Sequence, residues 1–318
     1  MKNELLEKIE KGIIISIILS IIVYAVFFFF TDWASIISSV EKIGLALIII
    51  LLILSLLNYA MRFLRWEVLI RNAKIKIKLK DSLKSFLAGL CLTITPGKAG
   101  ELFKASFVKK YSNTSRLKVL PIVILERIFD LTGFASILLI SLLFVSFENY
   151  ASAAMQASII IFAALIFSFL FIKTRICREI IKKVINKFSF LKKKEEIILE
   201  VLDDYSAISF TKIMALIVLS FLGWFFEVIE LYLLFNVFNI NADIFMAGFV
   251  FGFSSLIGLI SFTPGGIIGF EASSGLLLSN LLGLTVSTAA VITLIIRLTT
   301  LWFAVLIGLI TYLKYIKK

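Results

Sequence analysis

Apolar residues run along this chain in long blocks separated by short polar segments. Full-length blocks lie near residues 13–31, 43–61, 119–147, 152–173, 213–237 and 286–312. Each is close to or beyond the roughly 20 residues with which a helix crosses a bilayer. Two further blocks, near 85–108 and 245–283, are broken by a shared motif, Thr95-Pro-Gly-Lys-Ala-Gly-Glu101 in one and Thr263-Pro-Gly-Gly-Ile-Ile-Gly-Phe-Glu271 in the other. Two of the three prolines of the chain, Pro96 and Pro264, sit in these copies. Thr-Pro also suits a helix start, with Thr95 and Thr263 as N-caps and the prolines in the first helical position. The pattern predicts an all-α polytopic membrane protein of six full spans and two helix–break–helix hairpins, built as one transmembrane domain over residues 1–318.

Composition excludes the soluble alternatives. The chain is 60% hydrophobic, with a mean hydropathy of +1.05. The first block is too long for a signal peptide and lacks a small-residue cleavage site, so it is expected to remain as a helix. There is no histidine, which removes the commonest general base and metal ligand. Cys91 and Cys177 are far apart and suggest neither a disulfide framework nor a metal site. No metal, cofactor or enzymatic activity is expected.

The net charge of +12 would suggest nucleic acid in a soluble protein, but its distribution serves topology instead. Of 33 Lys and Arg, all but Lys42, Arg127 and Arg297 fall in residues 1–11, 62–118, 173–212 and 314–318, and 238–283 holds none. The positive-inside rule makes those four segments and both termini cytoplasmic, in a cell-membrane, multi-pass arrangement. If 85–108 were an ordinary span, the basic stretch after it would lie outside. A hairpin dipping in from the cytoplasm fits better. Each arm of about 11 residues, at 1.5 Å per residue, reaches about halfway through a ~30 Å core. The hairpin at 245–283 then enters from the opposite face. Pseudo-repeats 1–147 and 152–318 would share one order of parts with inverted topology, the second holding a cytoplasmic loop at 174–212. In that loop Ile176, Ile180, Ile181, Val184, Ile185 and Phe188 line one helical face opposite Arg178, Lys182, Lys183 and Lys187, as in a helix lying on an anionic leaflet.

Spacing supports the repeat. Arg62 precedes Thr95 by 33 residues and Glu230 precedes Thr263 by 33, while Arg127 and Arg297 follow the same threonines by 32 and 34. Inverted repeats with discontinuous helices meeting at the midplane are a common transporter architecture.

A helix that begins inside the membrane aims free N–H groups and its positive dipole end at whatever sits there. Two tips entering from opposite faces would converge on one place. Gly97, Gly100, Gly265, Gly266 and Gly269 allow close backbone approach, and Lys98 adds a full charge. The expected guest is an anion, and the abundant membrane anion is a lipid phosphate. A second reading makes the breaks simple packing points. The intramembrane charges leave a similar choice. Burying one costs about 2.5–3.5 kcal/mol even on a lenient scale, so each must face protein, water or a partner. Arg127 and Arg297 could clamp Glu101, Glu271, Glu227 or Glu230 and hold the hairpins in register. Alternatively they bind lipid phosphate while a carboxylate among Glu126, Asp130, Glu227 and Glu230 takes a proton. Arg62 and Arg65, at the expected cytoplasmic end of their span, are equally explained by snorkelling.

The ordered set of Arg62-Phe-Leu-Arg-Trp66, the two Thr-Pro-Gly motifs, Glu126-Arg-Ile-Phe-Asp130 and Arg297-Leu-Thr-Thr-Leu-Trp302 resembles the flippase-like family typified by the transmembrane region of lysylphosphatidylglycerol synthase. In the fused synthases that region is credited with moving an aminoacylated lipid made by a soluble domain. No such domain follows the last block here, so the resemblance implies a stand-alone translocation unit without aminoacyl transfer. It favours substrate-binding roles for Arg127, Arg297, Glu101 and Glu271, alongside the tip residues Thr95, Gly97, Lys98, Gly100, Thr263, Gly265 and Gly266. The leading expectation is a flippase-like transporter of a polar, anionic phospholipid or polyprenyl-phosphate headgroup, with membrane lipids as partners. The alternative is a secondary transporter of a small soluble anion, and a membrane enzyme of lipid or glycan synthesis ranks last.

Overall fold

A computed structural model describes residues 42–145, 174–187 and 195–317, together with a few isolated positions. The blocks near 13–31 and 152–173 lie outside these residues, so the six-span count is not addressed by them. The described part is helical, and four helices are long and apolar enough to cross a membrane. They are α1 (Leu45–Asn72), α4 (Arg116–Phe144), α7 (Phe210–Val237) and α10 (Val286–Ile316). Between them lie α2 (Leu79–Leu90), α3 (Lys104–Tyr111), α5 (Arg175–Lys187), α6 (Glu195–Ser206), α8 (Ile244–Ile260) and α9 (Ile267–Leu282).

Helix starts follow local chemistry. Ser115, Ser209, Asp243 and Thr285 each accept a hydrogen bond from the backbone N–H three residues on, at the heads of α4, α7, α8 and α10. Each therefore satisfies one of the orphan donors of a helix N-terminus. The block expected at 43–61 is longer than the hydropathy pattern implies. α1 continues without a break to Asn72, because its last three turns pack into the protein and need no apolar outer face. Arg62 and Arg65 consequently lie inside a helix, 3% and 0% exposed, and do not snorkel.

α7 is the central helix, packed along α1 and α4, while α8 packs on α4 and on α9. One apolar cluster gathers around Trp66, Phe86 and Phe129, another around Phe134, Trp224, Phe251 and Phe270. Along α4 the boundary between them falls at Asp130, between Phe129 and Phe134. The charged residues of the interior collect at this boundary.

Both broken blocks turn at their Thr-Pro-Gly motifs. The Lys98 N–H donates to the Thr95 carbonyl at 2.8 Å, and the Gly266 N–H to the Thr263 carbonyl at 2.9 Å. Gly97 and Lys98 have φ of 57° and 56°, and Gly265 and Gly266 have 61° and 67°. Proline second and a left-handed glycine third is the pattern of a type II turn. This corrects the expectation that the threonines are N-caps with proline as the first helical residue. The second helices start later, after Lys98 and Gly266, since a left-handed pair must close before a right-handed helix can begin. Thr95 instead accepts from the Gly100 N–H at 2.7 Å. The second arms also differ. α9 starts directly, whereas in the first hairpin a 3-10 turn at Ala99–Phe103 leads into the short α3.

Gly266 cannot carry a side chain. A Cβ there would stand 2.8 Å from the Gly258 carbonyl oxygen, in a backbone conformation L residues avoid. Gly266→Ala is expected to destabilise the protein by about 2–4 kcal/mol, from left-handed strain plus overlap with backbone. Cys91 and Cys177 are both buried and free, so a thiol-reactive fluorophore followed through a thermal melt in detergent reads the loss.

Candidate functional site

The two turns meet. Pro96 and Pro264 form an antiparallel backbone bridge, so the breaks, 168 residues apart in sequence, touch tip to tip. Beside them is a cavity of about 70 Å³. The first turn supplies Gly97 and Lys98 and the second Thr263, Gly265 and Gly266; α1 adds Arg62, α7 adds Trp224 and Glu227, and α10 adds Arg297. Phe134, Phe251 and Phe270 complete the wall. Two cations share the Trp224 indole, with the Arg62 guanidinium 4.9 Å and the Lys98 ammonium 5.5 Å from its ring centroid. Neither has a carboxylate within 4 Å among the described residues, and Arg62 Nε and Nη2 are buried without a hydrogen-bond acceptor.

The third cation, Arg297, is held from two sides. Its Nε donates to Glu271 Oε1 at 3.0 Å and its Nη2 to the Gly265 carbonyl at 2.6 Å. It also lies over the Phe270 ring, 4.7 Å from the centroid. Arg297 thus ties the second turn to the last long helix. The first hairpin has a counterpart, since Arg127 Nη2 donates to Glu101 Oε2 at 3.0 Å. In both cases the arginine is 26 residues after its glutamate.

Around Arg127 the pairs continue into an alternating chain. Arg65 contacts Asp130 at 2.7 Å, Asp130 contacts Arg127 at 2.9 Å, Arg127 contacts Glu101 at 3.0 Å, Glu101 contacts Lys104 at 2.8 Å and Lys104 contacts Glu126 at 3.1 Å. Three cations and three carboxylates balance. Lys104, Arg65, Glu101, Glu126 and Asp130 are all essentially unexposed. An alternating chain is how a low-dielectric interior tolerates six charges, each stabilised by a neighbour of opposite sign. It stands behind the first turn, on α1, the 3-10 turn at Ala99–Phe103, α3 and α4, and does not line the cavity.

The remaining carboxylates are on α7. Glu230 accepts from Ser55 Oγ at 2.8 Å and Thr299 Oγ1 at 2.7 Å. Its surroundings come from a π turn at Leu298–Trp302 in α10, whose Thr299 and Thr300 carbonyls face Ser55 Oγ and the Tyr59 hydroxyl at 2.8 and 2.7 Å. A π turn displaces backbone carbonyls from the helical ladder, and such turns cluster at functional sites. Glu227 is 5% exposed, lines the cavity, and makes no hydrogen bond or ion pair to a described residue.

Of the residues singled out in the sequence, Gly97, Lys98, Thr263, Gly265, Gly266, Arg297 and Glu227 lie on the cavity wall. Thr95 and Gly100 brace the first turn from behind. Glu101, Arg127, Glu126 and Asp130 belong to the ion chain, Glu271 anchors Arg297, and Glu230 sits one turn beyond Glu227. Arg62 and Trp224 line the cavity without having been proposed as ligands. The spacing of 33 residues to Thr95 was the available signal for Arg62.

Comparison with known proteins follows the same outline. The sequence pattern described as the lysylphosphatidylglycerol synthase TM region matches residues 13–308. A UPF0104 membrane protein of Methanocaldococcus jannaschii is 29% identical over 227 residues, covering 69% of this chain and 92% of that protein. A UPF0104 membrane protein of Methanothermobacter thermautotrophicus is 24% identical over 321 residues, covering 94% of each.

Proposed function

The chain belongs to the family of the lysylphosphatidylglycerol synthase transmembrane region, and from that premise we propose that it is a flippase-like transporter moving a polar, anionic lipid headgroup across the membrane. The observation that carries this is the cavity at the meeting of the two turns, where Arg62 and Lys98 present charge with no carboxylate within 4 Å among the described residues. A buried cation without a counterion is costly, and a phosphate bound there would supply it. The left-handed turns add backbone, since Gly97, Gly265 and Gly266 leave no side chain between main chain and guest.

The outer surface suits a lipid. Next to the second turn, Ile260 and Phe262 are 62% and 72% exposed, and Phe262 also abuts Gly97. Apolar side chains at the mouth let acyl or prenyl tails stay in the bilayer while the headgroup reaches Lys98. In the topology we favour, the first hairpin enters from the cytoplasmic face, the second from the opposite face, and both termini are cytoplasmic. The matched turns, the matched Arg–Glu ties and the distribution of Lys and Arg support that inverted arrangement. The loop holding α5 rests on the anionic leaflet.

Reconstitution into vesicles carrying fluorescent lipids tests the reading. Accelerated movement of an anionic headgroup, phosphatidylglycerol or a polyprenyl phosphate, is expected relative to protein-free vesicles. No movement of any anionic lipid overturns it. The small volume of the cavity favours one other reading, a transporter of a small soluble anion. Uptake of labelled phosphate without headgroup movement would select it.

A further inference from the structure

Glu227 has no use in a site that only binds an anion. Among the described residues it is the one acidic residue on the cavity wall, it is 5% exposed, and no described residue pairs with it. Its counter-charges are indirect. The charged groups facing it are Arg62 from α1, Lys98 from the first turn, Arg297 from α10 and Asp130 from α4, with Glu230 and Tyr59 close by. Asp130 is committed to Arg65 and Arg127, and Arg297 to Glu271. That leaves Arg62 and Lys98, among the described residues, as the cavity cations without a carboxylate partner within 4 Å, and Glu227 as the carboxylate that faces them. Their field supports the Glu227 carboxylate in the empty cavity without any direct pair.

An arriving phosphate takes that support away. It would take Arg62 and Lys98 as its own partners, since Arg62 Nε and Nη2 are open donors. Glu227 would then share a dry cavity with a second anion and lose the field of the two cations. Like charges held in one low-dielectric site cannot both stay ionised cheaply. Glu230 is less affected, because Ser55 and Thr299 hydrogen-bond to it directly.

Resting on the proposed anion site, we infer that Glu227 is a proton-binding site coupled to headgroup loading: a phosphodiester binds at Arg62 and Lys98 as the Glu227 carboxylate takes one proton from water and becomes the neutral acid. Anion and proton enter together, so loading a headgroup of charge minus one is electroneutral. Release on the far side returns the proton there. The device turns a proton gradient into a driving force without any further cofactor.

The test uses purified protein in detergent, lightly buffered with an indicator dye. The probes are dihexanoylphosphatidylglycerol and dimethyl phosphate, which are diesters and do not themselves titrate near neutrality. Binding of the lipid probe should draw about one proton per molecule bound. Its apparent affinity should fall about tenfold per pH unit wherever Glu227 is ionised in the empty protein. Glu227→Gln, nearly the same in shape, should bind the probe with no proton uptake and a flat pH dependence. Proton uptake with both probes assigns the coupling to the phosphodiester itself; uptake with the lipid probe alone adds the tails to recognition, and either supports the inference. Binding by the parent protein without proton uptake overturns it and leaves the anion site standing. Uptake that persists in Glu227→Gln also overturns it, since the proton then belongs to Lys98 or Glu230. Failure of both probes to bind removes the proposed function and this inference with it.

Discussion

Asp130→Ala should destabilise the protein by about 3–5 kcal/mol, the cost of breaking a buried ion pair by removing one partner. Asp130 accepts from Arg65 Nη2 at 2.7 Å and from the Trp224 indole N–H at 3.2 Å, and lies 2.9 Å from Arg127. Arg65 is wholly buried, and its other hydrogen-bond partner among the described residues is the neutral Ser220 hydroxyl, 2.8 Å from Nη1. Without Asp130 its guanidinium has no counterion, and the alternating chain is left with three cations against two carboxylates. Asp130→Asn keeps an acceptor for Arg65 but not the charge, so it should fall between parent and alanine variant. Thermal melts read through Cys91 and Cys177 should give the order parent, asparagine, alanine. An alanine variant that melts with the parent would mean that water reaches the chain and screens it.

That chain shows what one sequence can and cannot disclose. The helices were legible because hydropathy acts locally, and the two breaks because Pro-Gly has few conformations open to it. The matched spacings around Thr95 and Thr263 pointed to Arg127 and Arg297, and each proves to tie the glutamate of its own hairpin. Sequence spacing could not say which charges neutralise one another. Glu101 and Glu271 occupy matching places after their breaks, yet Glu101 is one link in a chain of six while Glu271 meets Arg297. That difference is set by which helix stands opposite. The exact capping was misjudged for a local reason, since Thr-Pro suits both a helix start and a turn, and the glycine after the proline decided for the turn. Arg62 was hidden by the end of the hydropathy block, because a helix entering a protein-lined site stops looking apolar before it stops being buried. The apolar blocks near 13–31 and 152–173, expected as spans, fall outside the described residues.

Arg62→Ala combined with Lys98→Gly should abolish headgroup movement while leaving the fold as stable as before, or more so. Each side chain would give a bound phosphate a charge-assisted hydrogen bond contributing about 1.5–3 kcal/mol. Losing both weakens binding by a hundredfold or more, at about 1.4 kcal/mol for each factor of ten. Stability should move the other way. Neither cation has a carboxylate within 4 Å among the described residues, so removing them deletes desolvated charge without breaking a direct ion pair, and Glu227, which loses their field, takes a proton instead. Lys98 also has φ of 56°, and glycine, which already stands at the matching position as Gly266, relieves strain of about 1 kcal/mol. The loss to set against this is the stacking of both cations on Trp224, about 0.5–2 kcal/mol each. Vesicle assays and thermal melts on the same preparation separate the outcomes. Lost movement with an unchanged or raised melting temperature marks binding residues. A melting temperature that drops as far as in Asp130→Ala would place Arg62 and Lys98 among the structural charges instead, and the cavity would lose its claim to a lipid phosphate.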